Sequence, residues 1–394
     1  MTTPFSPLVS DFTGFAADLD VQEREFLAAL RERLEREVTP IVDEHWEAAT
    51  FPDELPRILA EQRACGLAFP ETRPFANSAV FRGWVAFELA RVDASVATYV
   101  GVQNGLAMGS IALCGSREQR ERWLPPMAEG TVIGAFGLTE PESGSDSARG
   151  LRTRARRNGD EWVLTGAKRW IGNATFSDLT VIWAVDEADG EVKGFVVPNA
   201  MPGFTAEKIE RKVSLRIVQN AQITLEQVRI PLDHKLEHAN SFRDTARVLR
   251  ETRAEVAWLG AGLAAGAYEA ALRYTTEREQ FGAPLARRQL VQEHLVTALG
   301  NVTAAIALCT RVSHLHDRDE LTDEQSALAK ATVTRLMREA VAHCREVCGG
   351  NGIVLDYGVA RFFADAEAIY SYEGTMEMNT LIVGRKVTGH AAFV

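Results

Sequence analysis

The feature that most constrains the fold is a double switch in the spacing of apolar residues along the chain. From about residue 20 to 130 they recur at helical spacing, beginning with a stretch that Asp20 would cap and Pro40 would interrupt. From about residue 133 short alternating runs replace them, and long helical stripes return from about residue 240. This order predicts an α+β protein in which helical and strand-rich parts form separate layers.

The middle part is predicted to be an antiparallel β-domain. Its strand-like runs are rich in Val, Ile, Thr and Trp, and turn dipeptides such as Asn158-Gly159 separate them. The runs cover residues 151–156, 161–164, 179–185, 194–197 and 222–230. Short strands bounded by turn dipeptides are typical of a small sandwich or barrel, which would end near Pro231.

Both flanks are predicted to be helical. The N-terminal helical patterns after the first cover residues 54–65, 80–92, 95–113 and 117–127. The C-terminal ones are longer, covering 241–277, 288–315, 322–348 and 357–368, and their apolar stripes suit an antiparallel four-helix bundle. We therefore place an N-terminal helical domain at 1–132, the β-domain at 133–236 and the C-terminal bundle at 237–394.

Charge and cysteine usage restrict partners and location. With 43 Lys and Arg against 54 Asp and Glu, the chain lacks the basic balance of a nucleic-acid binder. Its five cysteines are odd in number and widely spread, which indicates a reducing cytosol rather than a disulfide framework. Cys344 and Cys348 could share a helix face, but no second Cys or His pair accompanies them, so we expect buried apolar roles and no metal site. Neither a signal peptide, a C-terminal address nor an apolar run long enough to span a membrane is expected, so the prediction is a cytoplasmic protein.

Four segments combine glycine with groups that could bind a ligand, although each also has a plain structural reading. The loop 136–146 is dense in hydroxyls and could meet a polar ligand or be a surface turn. Trp170 stands beside glycine at a strand end, where it could stack on a planar cofactor or belong to the core. Arg278 ends a long helix and could cap it or reach a phosphate, and Gly349-Gly350 could be a helix stop or a site of close backbone approach.

The fifth segment is Ser371-Tyr372-Glu373-Gly374-Thr375, which places one carboxylate in a loop between two helices. Thr375 is a plausible N-cap for the second helix. Apolar surroundings disfavour the charged form of Glu373, which is how a carboxyl becomes a useful general base near neutral pH. The alternative is an ordinary solvated loop acid.

Taken in order, these five segments resemble the acyl-CoA dehydrogenases, a family of flavoproteins. The resemblance runs from about Asp20 to Phe393 and rests on 136–146, Trp170-Ile171, Arg278-x-x-Phe281-Gly282, Gly349-Gly350-Asn351-Gly352 and Tyr372-Glu373-Gly374-Thr375. Within the family the chain looks most like the branch of glutaryl-CoA dehydrogenases and the plant peroxisomal short-chain acyl-CoA oxidase. Residues 169–176, 216–220 and 280–286 carry that likeness.

The resemblance implies FAD as cofactor, an acyl-CoA substrate and Glu373 as the base that removes the α-proton. The backbone N–H of Glu373 and a ribityl hydroxyl of FAD would polarise the thioester carbonyl, as an oxyanion hole does. By the same resemblance, the substrate would contact Ser145, Arg253, Tyr372 and Gly374. The implied FAD-binding residues, some of them facing a neighbouring subunit's FAD, are Phe136, Leu138, Thr139, Gly144, Ser145, Trp170, Ile171, Gly172, Arg278, Phe281, Gln289, Gly349, Gly350, Thr375 and Glu377.

Three departures from the family pattern shape the predicted reaction. Gly172 stands where the family usually has a Thr or Ser bonded to flavin N5, and Glu377 replaces a commoner Gln. Residues 93–116 contain no Arg, and Ala97 occupies the position from which glutaryl-CoA dehydrogenases hold a distal carboxylate. Tyr99 and Val100 near that wall favour a short or medium pocket, so an uncharged acyl chain is expected.

The predicted function is FAD-dependent conversion of an acyl-CoA to trans-2-enoyl-CoA, in a homotetramer that passes electrons to electron-transfer flavoprotein. The alternatives are an oxidase that uses O₂, which Gly172 keeps open, and a glutaryl-CoA-type enzyme, which the missing Arg disfavours. A non-catalytic acyl-CoA-binding protein and a flavin N-hydroxylase are disfavoured by the presence of Glu373.

Overall fold

A computed structural model describes residues 6–392, so parts of the two termini considered above lie outside the described residues. Side-chain caps begin several N-terminal helices, since Asp20 forms a capping box with Glu23, and Ser78 and Asp93 accept from the first backbone N–H groups of their helices. The predicted cap at Asp20 is confirmed. The N-terminal helices are α1 (Val21–Arg33), α2 (Thr39–Ala48), α3 (Leu55–Glu61), α4 (Ala79–Val92), α5 (Ala94–Gly101), α6 (Gly109–Cys114) and α7 (Arg117–Ala128), with π-helical links at Leu34–Val38 and Val102–Met108.

The middle part is one seven-stranded sheet. The single-turn helix α8 (Ser147–Gly150) lies between its first two strands in the chain. Its strands are β1 (Gly134–Gly137), β2 (Arg154–Asn158), β3 (Glu161–Ile171), β4 (Leu179–Asp186), β5 (Val192–Pro198), β6 (Phe204–Lys208) and β7 (Ala221–Pro231). The end of the sheet at Pro231 agrees with the prediction.

The sheet is mixed rather than wholly antiparallel, which corrects one detail of the sequence prediction. β1 and β2 both run parallel to β4, pairing with its two halves, while β5 is antiparallel to β4 on its other side. β3, β7 and β6 continue the sheet in antiparallel order. The sequence reading also missed β1 and β6, because four or five residues with glycine or exposed charges give too little alternation to stand out.

The C-terminal part is a bundle of long antiparallel helices, as predicted. It consists of α9 (Phe242–Glu277), α10 (Gln289–Asp317), α11 (Asp323–Val347), α12 (Val359–Ser371) and α13 (Met376–Thr388), with the small hairpin β8 (Glu279–Gln280) and β9 (Ala283–Pro284) after α9. All five cysteines are free and buried, which agrees with the apolar role expected for Cys344 and Cys348.

The two helical parts share one core, because α4 packs directly on α9. Trp84 and Trp258 meet across this contact with ring centroids 5.4 Å apart. Gly262 and Gly266 permit the close approach, since a Cβ on either would lie 2.2 Å from a backbone oxygen of α4, that of Phe87 or Arg91. The N-terminal helices and α9 therefore form one rigid wall beside the sheet.

Helix α10 differs from the expectation that no segment is long and apolar enough to span a membrane. Within the described residues 6–392 it is the one helix that meets this test of length and composition. It packs against α9 and α11 as a bundle helix does, while Leu290 and Val296 on it are exposed. The absence of a membrane span therefore stays a prediction.

Candidate active site

The Glu373 loop joins α12 to α13 and is held in a strained conformation. Glu373 has φ of 54° and Gly374 has φ of 85°, so a non-glycine residue occupies the left-handed region at the tip of the loop. Lys330 Nζ from α11 donates to the carbonyls of Tyr370, at 2.7 Å, and Gly374, at 2.8 Å, on either side of Glu373. Asn379 Nδ2 also donates to Gly374 O at 2.8 Å, so the loop is fixed from two helices.

The carboxylate of Glu373 points at α9. Thr252 Oγ1 donates to Glu373 Oε2 at 2.9 Å. Burial raises the pKa of Glu373 above its ordinary value, against the opposing effects of the Thr252 hydroxyl and the charges of Arg253 and Lys330. The carboxylate is therefore removed from water as the sequence predicts, and its role as a base stays a prediction.

Arg253 and Tyr372 are the chain neighbours of Thr252 and Glu373, the two residues that this hydrogen bond joins. The buried Nε of Arg253 has no hydrogen-bond partner among the described residues 6–392. Burial lowers the pKa of Arg253, and the charge of Glu373 counteracts this effect. Tyr372 OH lies 3.4 Å from Thr98 Oγ1, which ties the Glu373 loop to α5. An anionic or strongly polar ligand group would satisfy the free Arg253 donor.

The loop after β1 forms a second wall, and a buried ion pair shapes it. Lys168 Nζ from β3 contacts Glu140 Oε1 at 2.8 Å and donates to Leu138 O at 3.0 Å. Glu140 also accepts from the backbone N–H groups of residues 152 and 153. Burial would raise the pKa of Glu140, but Lys168 and these hydrogen bonds keep it below its ordinary value, while burial lowers the pKa of Lys168 to about 8. Buried contacts therefore fix the start of the predicted ligand loop, whereas residues 141, 142 and 144–146 are exposed, as in a surface turn.

The predicted cofactor residues in and after β1 lie close to the end of β3. Arg169 N donates to Thr139 O at 2.8 Å, which aligns the end of β3 with the loop after β1. Phe136, Leu138 and Ile171 are buried, whereas Trp170, with φ of 65°, leaves its ring 53% exposed. Gly172 is buried, and a Cβ there would lie 3.1 Å from Val102 Cγ2. Gly144 and Ser145 are exposed further along the loop.

A separate group lies at the end of α9. Arg278, Gly349 and Gly350 line a cavity of about 520 Å³ together with residues of α10 and α11. Phe281 is 94% exposed on the hairpin loop and Gln289 is exposed at the start of α10. None of the residues lining this cavity belongs to the Glu373 loop, so within one chain the predicted FAD residues form two groups.

These residues fit FAD by their chemistry. Trp170 and Phe281 are exposed aromatic residues, as stacking on a planar cofactor requires. The guanidinium groups of Arg169 and Arg288 lie over their rings, 5.3 and 5.8 Å from the respective centroids. Thr375, the predicted N-cap, accepts from Met378 N at 3.3 Å and begins α13, whose N-terminus favours a phosphate. Glu377 is exposed in the same turn. Which residues contact the cofactor stays a prediction.

Comparison with known proteins decides the family. Models of the acyl-CoA dehydrogenase N-terminal, middle and C-terminal domains match residues 20–131, 135–228 and 242–388. The chain belongs to the acyl-CoA dehydrogenase family. Its fold, its FAD cofactor and its class as an oxidoreductase acting on CH–CH bonds are those of the family, as the sequence predicted.

Individual relatives cover nearly the whole chain. The human mitochondrial short-chain specific acyl-CoA dehydrogenase is 31% identical over 93% of this chain and 90% of its own length. A glutaryl-CoA dehydrogenase of Mycobacterium smegmatis solved with FADH2 has a TM-score of 0.94 and 35% identity, covering 98% of this chain and 100% of that one. Butyryl-CoA dehydrogenase of Megasphaera elsdenii has a TM-score of 0.89 and 28% identity, covering 94% of this chain and 99% of that one.

Sequence reasoning missed the residues that support the site. Thr252 and Lys330 sit inside long helices, and Lys168 sits inside a strand, where no loop or glycine signal marks them. A lysine within the apolar stripe of α11 was the available signal, because lysine is almost never fully buried without a partner.

Proposed function

We propose that this dehydrogenase converts an uncharged short- or medium-chain acyl-CoA to the trans-2-enoyl-CoA and passes the electrons to electron-transfer flavoprotein. The observation that carries the proposal is the Glu373 carboxylate, held in a strained, doubly anchored loop near Arg253, whose Nε has no partner within residues 6–392. A carboxylate held in this way is suited to remove a proton from a bound substrate, whereas an ordinary loop acid is surrounded by water.

The chain's own residues bind the thioester and move one proton. Glu373 accepts the α-proton, and its raised pKa brings it closer to that weakly acidic C–H than a free carboxylate. The backbone N–H of Glu373 donates to the thioester carbonyl, where negative charge develops, and Arg253 lies near the CoA-bearing side. FAD, when bound, supplies the acceptor for the β-hydride.

The uncharged chain is supported by the wall opposite Glu373. Residues 93–116 offer no Arg to a distal carboxylate, and Ala97 is buried where a counter-charge would stand. Tyr99 packs in an aromatic cluster with Phe51 and Phe176, which closes this side of the site and favours a limited chain length.

Oxygen as acceptor is the second candidate, and Gly172 favours it. Glycine offers no hydroxyl to flavin N5, so a backbone N–H or a water molecule must supply the hydrogen bond that influences the redox properties of the flavin. Formation of peroxide together with enoyl-CoA in air, without electron-transfer flavoprotein, would identify an oxidase.

The test of the proposal is anaerobic flavin bleaching by acyl-CoA in Glu373→Gln. We expect a loss of at least about a thousandfold in the bleaching rate with FAD content unchanged, because glutamine cannot accept the proton. Glu367→Gln, an exposed carboxylate on α12, is the matched control and should bleach at the native rate. Native turnover in Glu373→Gln would overturn the mechanism.

Assembly and location follow as further parts of the proposal. A homotetramer is supported by the separate group of predicted FAD residues at the end of α9 and by exposed apolar residues on α10. A cytoplasmic location is supported by five cysteines that are all free in the fold.

A further inference from the structure

Glu255 is a second carboxylate beside the site, and the reaction proposed above does not use it. It lies three residues after Thr252 on α9, so the two side chains share a helix face. Its oxygens face the opposite helical wall, where a Cβ built on Gly105 would lie 2.6 Å from Oε2 and one on Gly101 would lie 3.7 Å from Oε1. Gly105 thus leaves the space that the carboxylate occupies.

The Glu255 carboxylate has no hydrogen-bond or ion-pair partner among residues 6–392. Burial and, to a smaller extent, the charge of Glu373 raise its pKa to about 7, although Arg82 acts in the opposite direction. Neighbours that titrate nearby are Cys65 and Tyr372, whose own pKa values burial and the Glu255 charge raise. The Glu255 side chain is half-buried, and an acid largely removed from water is costly unless some group donates a hydrogen bond to it.

The placement of Glu255 indicates what that group is. In the proposed reaction the α-carbon of the acyl chain lies at Glu373, which Thr252 holds, so a chain that runs along α9 toward the helical wall of residues 94–114 would reach Glu255. Glu255 lies one turn further along the same face of α9, against Gly101 and Gly105 of that wall. A distal carboxylate would meet a like charge there, whereas a distal hydroxyl or ammonium would meet an acceptor.

We propose that Glu255 is a specificity-determining residue that accepts a hydrogen bond from a donor, a hydroxyl or an amino group, at the distal end of the acyl chain. The inference rests on the proposed acyl-CoA dehydrogenation. A distal hydroxyl narrows the uncharged substrate class proposed above, whereas a distal ammonium would replace it with a cationic one. It also agrees with the absence of Arg from residues 93–116, since both features disfavour a dicarboxylate.

The experiment measures kcat/KM for straight-chain acyl-CoAs of four to six carbons, each against its ω-hydroxy and ω-amino counterpart and against glutaryl-CoA. We expect at least one donor-bearing thioester to exceed the plain chain of equal length by about tenfold or more, and glutaryl-CoA to be the poorest substrate. Equal values for plain and donor-bearing chains would overturn the inference while leaving the dehydrogenase function intact. Failure of every thioester to bleach the flavin would overturn the function itself.

Variants at Glu255 separate the two donors. Glu255→Gln keeps an acceptor oxygen but loses the charge, so the preference for a hydroxyl should survive and that for an ammonium should fall at least fivefold. In Glu255→Leu, the ratio of kcat/KM for each donor-bearing thioester to kcat/KM for the plain chain of equal length should be within twofold of one. Glu251→Gln, one turn earlier on α9 and bonded to His316, is the matched control and should keep the native ratios. Unchanged ratios in Glu255→Leu, with FAD content and melting temperature intact, would refute the role; if that variant does not fold, Glu255→Gln decides the question.

Discussion

At the scale of single residues, the ionisation of Glu373 is set by a few opposing contacts. Burial raises its pKa, and the hydroxyl of Thr252 together with the charges of Arg253 and Lys330 lowers it. Glu255 adds a second acid whose pKa of about 7 depends partly on the charge of Glu373. The pKa of Glu373 is therefore set by the residues around it as well as by the intrinsic acidity of a glutamic acid.

Replacing Thr252 tests this balance. The carboxylate must be ionised to accept a proton, so the rate falls as pH drops through the raised pKa of Glu373. Thr252→Val removes a hydrogen bond that stabilises the charged form, so the acid limb of the pH–kcat/KM profile should move to higher pH by about one unit.

Thr252→Ser serves as the control, because it keeps the hydroxyl and should keep the native profile. A Thr252→Val profile that coincides with the native one would show that this hydrogen bond does not tune the base.

At the scale of elements, the site depends on helices that brace one loop. α11 reaches the Glu373 loop through Lys330, whose Nζ bonds carbonyls on both sides of the glutamate. Burial lowers the pKa of Lys330 to about 8, and the charge of Glu373 counteracts this. The positive φ of Glu373 persists because these contacts over-determine the loop.

Lys330→Met should therefore slow the reaction, because the Glu373 loop would no longer be held in place. We expect kcat to fall by roughly tenfold to a hundredfold with KM little changed, and stability to fall by about 1–3 kcal/mol from carbonyls left without their donor. Stopped-flow bleaching and thermal unfolding measure the two effects. Lys386→Met, an exposed lysine on α13, should change neither.

A pH profile separates position from charge in this variant. Loss of the Lys330 charge also raises the pKa of Glu373, so a purely electrostatic defect would be rescued at high pH. Full recovery of kcat at high pH would contradict the positional role.

At the scale of the whole molecule, one chain presents two incomplete surfaces. The wall around Glu373 and the cavity at the end of α9 are separate, and Phe281 projects from the latter. α10 carries exposed Leu290 and Val296 although it is a bundle helix. Both features favour assembly with further copies of the chain.

Val296→Glu should disrupt this assembly. A charge in an apolar interface is unfavourable, so we expect a smaller mass by light scattering and, if neighbouring subunits share FAD, a lower flavin content. Val213→Glu, equally exposed but on the β-domain, is the control and should leave the mass unchanged. A Val296→Glu protein of native mass would exclude this face as the interface.

Much of the fold could be predicted from the sequence because its signals are local. The spacing of apolar residues gave the three parts and the long helices to within a few residues, and the caps at Asp20 and Thr375 needed only neighbouring residues. The short strands β1 and β6 and the parallel pairing of β1 with β4 escaped, because strand pairing is decided by contacts distant in sequence.

The same division holds for the site. By itself the sequence determined the layer order, and it predicts the loops that would bind ligands and Glu373 as the base, because these predictions rest on motif spacing and residue chemistry. Only the tertiary structure decided that Thr252 bonds Glu373, that Lys330 braces its loop and that Glu255 lies against Gly105 with no bonded partner in the described part of the chain. The physical reason is that burial and partnership set the pKa and the geometry of a side chain, and both arise only when distant segments pack together.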